Sequence, residues 1–168
     1  MRYVLRNKLF SIGGDSWITD ETGHHVYFVD GAAISIGRRL TIKDMDRNEV
    51  AAIHQELIAL TPTFEIHTAR GIKAHISMRL LTLTDRMKID VTGGPDLEVH
   101  GNLFHHEYDI EQGGRRVAHV SKAWISLTDS YGIEIADDED QVLILACAVV
   151  IDEILEMREK ADGDQVSG

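Results

Sequence analysis

Apolar and polar residues alternate along several short stretches of the chain. Leu97 and Val99 fall on one side of such a stretch, Glu98 and His100 on the other. Tyr108 and Ile110 oppose Glu107, Asp109 and Glu111, while Met87, Ile89 and Val91 oppose Arg86, Lys88 and Asp90. A period of two with one apolar face marks a half-buried β-strand. Turn-forming clusters punctuate these stretches at Ile12–Asp15, Asp20–Gly23, Asp44–Asn48, Thr92–Asp96 and Gln112–Arg115. Short strands separated by turns every 8–12 residues or so predict an all-β barrel or sandwich. Glu49–Leu60 is ambiguous. Its alanines, Gln55 and Glu56 favour helix by propensity, but its place between two strand-like stretches favours a strand, and a strand is the expectation.

One stretch breaks the pattern. Val142–Ile151 is a run of ten apolar residues, followed by Asp152-Glu153 and then Ile154, Leu155 and Met157. Asp137-Asp138-Glu139-Asp140 precedes it, and Arg158 and Lys160 follow. Carboxylates at the start and cations at the end suit a helix dipole. A helix that is apolar all round is buried all round. The pattern therefore predicts one mainly β domain over residues 1–161. Its core is a helix at about 139–160, and 162–168 form a polar, disordered tail. At about 1.5 Å per residue, ten apolar residues cover only half of a bilayer's hydrocarbon core. No membrane span is expected.

Composition narrows the function classes. The 168 residues carry a net charge of −11, which disfavours nucleic acid as a partner. The charge is uneven: residues 38–88 total +3 and the remainder −14. The single cysteine, Cys147, lies inside the apolar run and reads as an inert, buried thiol. The charged start, Met1–Lys8, does not read as a signal peptide. A cytoplasmic protein, able to sit at the periphery of a membrane, is the expectation.

Three segments carry a family resemblance. They are Phe10–Asp20 (FSIGGDSWITD), Trp124–Ile135 (WISLTDSYGIEI), and the acidic cap with the apolar helix ending in Ile151-Asp152. In this order and spacing they resemble the LURP-one-related family, similar in fold to the C-terminal domain of Tubby proteins and distantly to phospholipid scramblases. The resemblance implies a closed antiparallel barrel of about twelve strands around one central hydrophobic helix. It also implies phosphoinositide binding by analogy with Tubby, a stress or defence role by analogy with plant relatives, or calcium-responsive lipid chemistry by analogy with scramblases. Fold analogy alone is a weak warrant for activity.

Two candidate sites follow. Lys73, His75, Ser77 and Arg79 alternate with apolar residues, and a turn at Thr82–Asp85 would bring Arg86 and Lys88 alongside. Lys73, Arg79, Arg86 and Lys88 would then form an outer basic stripe able to hold an anionic headgroup. The plainer reading is a solvated strand face. Under the scramblase alternative, Asp129, Asp138 and Asp140 would bind calcium, and the plainer reading is helix capping. No other cofactor is expected. A protein partner is the remaining alternative.

Other motifs fall short. Asp44–Asn48 mimics the opening of an EF-hand loop, but Glu49 stands where glycine is required, so a turn is expected. The nine histidines, including His24-His25 and His105-His106, read as scattered surface residues, because neighbours on a strand face opposite ways. No nucleophile elbow, P-loop or dinucleotide fingerprint is present. A non-enzymatic binding module is the favoured expectation.

Overall fold

The computed structural model describes residues 1–6, 16–32, 37–58, 61–77, 86–125 and 129–166. Its strands are β1 (Arg2–Arg6), β2 (Ser16–Asp20), β3 (His25–Ala32), β4 (Arg39–Lys43), β5 (Glu49–Glu56), β6 (Thr63–Thr68), β7 (Lys73–Ser77), β8 (Arg86–Thr92), β9 (Leu97–Asn102), β10 (Glu107–Gln112), β11 (Arg115–Ser121) and β12 (Ser130–Ile135). One helix, α1 (Gln141–Val166), follows. Every strand pairs antiparallel with its sequence neighbours, and β1 pairs with both β2 and β12, so the barrel closes. Closure removes the unpaired edges that an open sheet exposes.

The twelve-stranded barrel with a helix through it is the architecture that the family resemblance implies, and it agrees with the strands read from the alternation and the buried helix read from the apolar run. Inward positions such as Leu5, Ile53, Phe64, Ile89 and Ile133 are fully buried. Leu145 through Ile151 are buried all round against them. Among the described residues, neither layer has another apolar surface to cover it, so each depends on the other. Glu49–Glu56 is a strand, as its position rather than its propensity predicted. Asp44–Asn48 is a turn in which Asp44 Oδ1 accepts from the amides of Asp46 and Asn48, at 3.0 and 2.8 Å.

The helix differs from expectation at both ends. It starts at Gln141 rather than about 139, because Asp140 is its cap: Asp140 Oδ1 accepts the Leu143 amide at 2.9 Å. The acidic residues thus precede the first turn instead of filling it. It runs on to Val166, through the stretch expected to be a disordered tail. Gly163 weakens that stretch by only about 1 kcal/mol relative to alanine, no proline ends it, and Lys160 Nζ pairs with Glu156 one turn back at 2.6 Å.

Alternate ends of the barrel hold alternate connections. The links β6–β7, β10–β11 and β12–α1 lie at the mouth where the helix enters. There Arg70 meets Asp140, and Arg115 meets Asp138 and Glu139. The links β3–β4, β9–β10 and β11–β12 lie at the opposite mouth, where the helix leaves.

Candidate functional site at the exit mouth

The helix becomes polar where it leaves the barrel. Asp152, Glu153 and Glu156 are all buried there. A buried charge needs a partner, and each has one from a different place in the chain. Asp152 Oδ1 meets His106 Nε2 at 2.9 Å, Glu153 meets Arg38, and Glu156 Oε1 accepts from Lys160. Arg38 precedes β4, and His106 follows the 3₁₀ turn Leu103–His105 that joins β9 to β10. Asn102 caps that turn by accepting the His105 amide at 3.2 Å, and His106 then takes a left-handed φ of 52°. This conformation swings His106 inward while His105 stays exposed.

The expectation of scattered surface histidines fails here, because the pair lies on a turn rather than a strand. Six of the nine histidines are within ion-pair reach of a carboxylate. Only His106 among the described histidines is buried.

A cavity of about 240 Å³ opens at this mouth, lined by Phe104, His106, Lys122, Asp129, Asp152, Leu155, Glu156 and Glu159. Several buried polar atoms around it have no hydrogen-bond partner: His106 Nδ1, Glu156 Oε2 and, beneath the imidazole, the Tyr131 hydroxyl. The Tyr131 ring lies 4.6 Å from that of His106. With its Nε2–H directed at the Asp152 carboxylate, a neutral His106 carries a lone pair on Nδ1. In that tautomer Nδ1 and Glu156 Oε2 both present lone pairs, and neither has a hydrogen-bond partner.

Burial also tunes the charges. It pushes the Glu153 carboxyl up to about 7, with Glu156 and Asp152 adding to the rise and Arg38 and Lys160 opposing it. Neither Glu153 oxygen accepts a well-directed hydrogen bond, although the guanidinium of Arg38 is adjacent. Burial, then the nearby Asp152, holds the Tyr131 and Tyr108 hydroxyls well above the usual phenol range, so both stay neutral. Burial pushes the Cys147 thiol up to about 12, which makes it inert, as its place in the apolar run predicts.

The residues expected to bind calcium do not meet. Asp129 belongs to the β11–β12 link and lines the exit cavity, whereas Asp138 and Asp140 lie at the entry mouth. Twelve helical residues, about 18 Å at 1.5 Å each, separate Asp140 from the Asp152 that shares the cavity with Asp129. Alternation in sequence cannot show which mouth a connection occupies, and the three carboxylates had only nearness along the chain in common.

The basic stripe is placed in part. Lys73 on β7 and Arg86 and Lys88 on β8 face outward on neighbouring strands. Arg79 lies outside the described residues. The same face is threaded with acid. Lys88 Nζ is bridged by Asp96 at 2.9 Å and Asp90 at 3.2 Å, and His75 stands opposite Asp90. Those bonds raise the Lys88 pKa, the Asp96 contact foremost. Among the described residues, Lys73 and Arg86 have no carboxylate within ion-pair reach.

Comparison with known proteins agrees with this architecture. A model of the LURP-one-related family matches residues 1–152. The chain belongs to the LURP-one-related family. Its similarity to the uncharacterized protein YxjI of Bacillus subtilis (strain 168) is 28% identity over 151 residues, 90% of this chain and 91% of that one. The X-ray structure of an Arabidopsis thaliana protein, AT5G01750, superposes with a TM-score of 0.67 at 13% identity, over 91% of this chain and 90% of that one. At that identity the likeness establishes the fold alone. This LURP-one-related chain has, among its described residues, no helix long and apolar enough to cross a membrane.

Proposed function

We propose that this protein is a non-enzymatic binding module that takes a small cationic, donor-rich ligand, of the organic-ammonium class, at the exit mouth. The observation that carries this reading is the pair of buried acceptors without partners, His106 Nδ1 and Glu156 Oε2, on a cavity of about 240 Å³. Native proteins satisfy nearly all buried polar atoms. Unpartnered acceptors beside a cavity call for a molecule that brings donors. The lining adds Asp129, Asp152 and Glu159 to Glu156, against Lys122 alone among lining cations. A negative lining of this kind favours a cation. The cavity is smaller than most drug-sized sites, which suits a small organic cation. The barrel interior is filled by α1, so it offers a rigid rim rather than an internal chamber.

Titration calorimetry with ethanolamine, choline and calcium tests the reading. Ethanolamine, with three N–H donors, is expected to bind about tenfold or more tighter than choline, the difference of one charged hydrogen bond. Glu156→Gln is expected to weaken it similarly. Equal binding of the two amines, or binding of none, overturns the proposal. Binding of calcium alone would favour a metal-responsive mouth instead.

A second reading rests on Arg86, which faces outward two residues from Lys88 on β8, and on Lys73, which the register sets against Thr92 about 20 Å along the strands from Arg86; neither has a described acid partner. Spaced in this way they suit separate headgroups of an anionic lipid surface on the outer wall. Pelleting with phosphoinositide-containing liposomes that is lost in Lys73→Ala/Arg86→Ala supports this reading, and unchanged pelleting removes it.

A further inference from the structure

A second group of side chains lies on the outer wall of β5, β6 and β7, around the barrel from the connections that line the exit cavity. β5, β6 and β7 are adjacent, and their registers align His54 with Glu65 and Glu65 with His75. Glu56, two residues after His54, faces the same way. The ligand atoms of Glu56, Glu65 and His75 all lie within 4.8 Å of one another. His75 Nδ1 is 3.2 Å from Glu56 Oε1. His67, the next outward residue on β6, contacts Glu65 Oε1 through Nε2.

We infer that Glu56, Glu65 and His75 form a divalent transition-metal site of the zinc class on the barrel wall. Three features support it. First, the donors suit the ion: one imidazole nitrogen and two carboxylates match the ligands and charge that zinc takes when it keeps positions open to water. Second, the spacing is close. The centre of three atoms 4.8 Å apart is about 2.8 Å from each, so rotamer adjustments of about 0.7 Å reach zinc bond lengths of about 2.1 Å. Three neighbouring strands of a closed sheet hold the Cβ atoms in place, so little reorganisation is needed. Third, the cluster has a surplus of negative charge. Neither Glu56 nor Glu65 has an ion pair with a lysine or arginine among the described residues, and only imidazoles face them. A divalent ion neutralises both carboxylates at once. His67 then orients Glu65 from behind, as a positioning residue of the kind that surrounds metal ligands.

Nothing in this site depends on the mouth. It joins residues that are 9 to 19 positions apart in the chain, and its chemistry is that of a cross-strand cluster.

The test is zinc titration of the untagged protein, with cobalt as a spectroscopic probe. One zinc per chain is expected. Glu56→Gln, Glu65→Gln and His75→Ala are each expected to raise the dissociation constant more than about tenfold, and His67→Ala by about tenfold. His119→Ala, on a different pair of strands, serves as control and keeps full affinity. Cobalt is expected to give ligand-field absorption that disappears in His75→Ala. All the variants change outward-facing side chains, so circular dichroism is expected to show an intact barrel. No stoichiometric zinc, or zinc held equally well by the Glu56→Gln/Glu65→Gln/His75→Ala triple variant, overturns the inference.

Discussion

Gly132 shows how one residue can be forced by its neighbour. It lies mid-strand in β12, where glycine is ordinarily unfavourable. A Cβ there would meet the Trp124 ring at 2.4 Å. The indole lies flat over the gap, and Arg2 stacks on the indole at 5.3 Å. An aromatic covering a strand glycine repairs the missing side chain. Gly132→Ala is therefore expected to cost about 1–3 kcal/mol, because the indole must move. Denaturant unfolding checks this, and an unchanged midpoint contradicts it. Asp140 gives a second case. Its side chain caps α1, so Asp140→Ala is expected to lose about 1 kcal/mol, while Asp140→Asn or Asp140→Ser keeps most of the stability in the same assay. Both residues were conspicuous in the sequence, as part of a motif and of an acidic run. Their partners were not, because Trp124 reaches Gly132 from the link before β12 and the helix starts two residues beyond where the acidic run would put it.

At the scale of elements, alternation read the strands well, since a half-buried strand writes its two faces into the chain. Leu97, Val99, Tyr108, Ile110, Met87 and Ile89 are all buried as the alternation requires. The helix was legible from its apolar run, but its exit was not. Asp152, Glu153 and Glu156 look like a solvated helix end, and only the barrel rim shows that they are buried and matched by His106, Arg38 and Lys160. The matches to His106 and Arg38 span long sequence separations that no local pattern records, whereas Lys160 lies one helical turn from Glu156. The strain at this rim has a pH signature. Burial raises Glu153 from 4.5 to about 7. Between those values the native state binds more protons than the unfolded chain, so stability falls as pH rises from about 4.5 through 7 and is level above. The contribution is on the order of 3 kcal/mol. Unfolding free energies measured across pH 4.5–8 are expected to show this decline, and Glu153→Gln to flatten it. A slope identical in the variant assigns the decline to other groups.

For the whole molecule, the closed barrel and its helix form one cooperative unit. Among the described residues, each covers the other's buried apolar face, which leaves the rim and the outer wall as the surfaces open to a ligand. The sequence pointed to the wall through its basic stripe. Alternation put Asp90 on the face of Lys88, but it did not show that Asp96 also bridges Lys88, because that contact depends on how the chain turns from β8 into β9. It missed the mouth for the same reason: Asp129, His106 and Glu156 come from three separate connections and elements. The central claim is that the exit mouth takes a small cation through His106 Nδ1 and Glu156. The most direct measurement is nitrogen NMR of the His106 imidazole during an ethanolamine titration. The account predicts a saturable shift of Nδ1, absent in Glu156→Gln, with the Nε2–H still bound to Asp152. An Nδ1 resonance unmoved at saturating ethanolamine, or one that moves equally in Glu156→Gln, contradicts it.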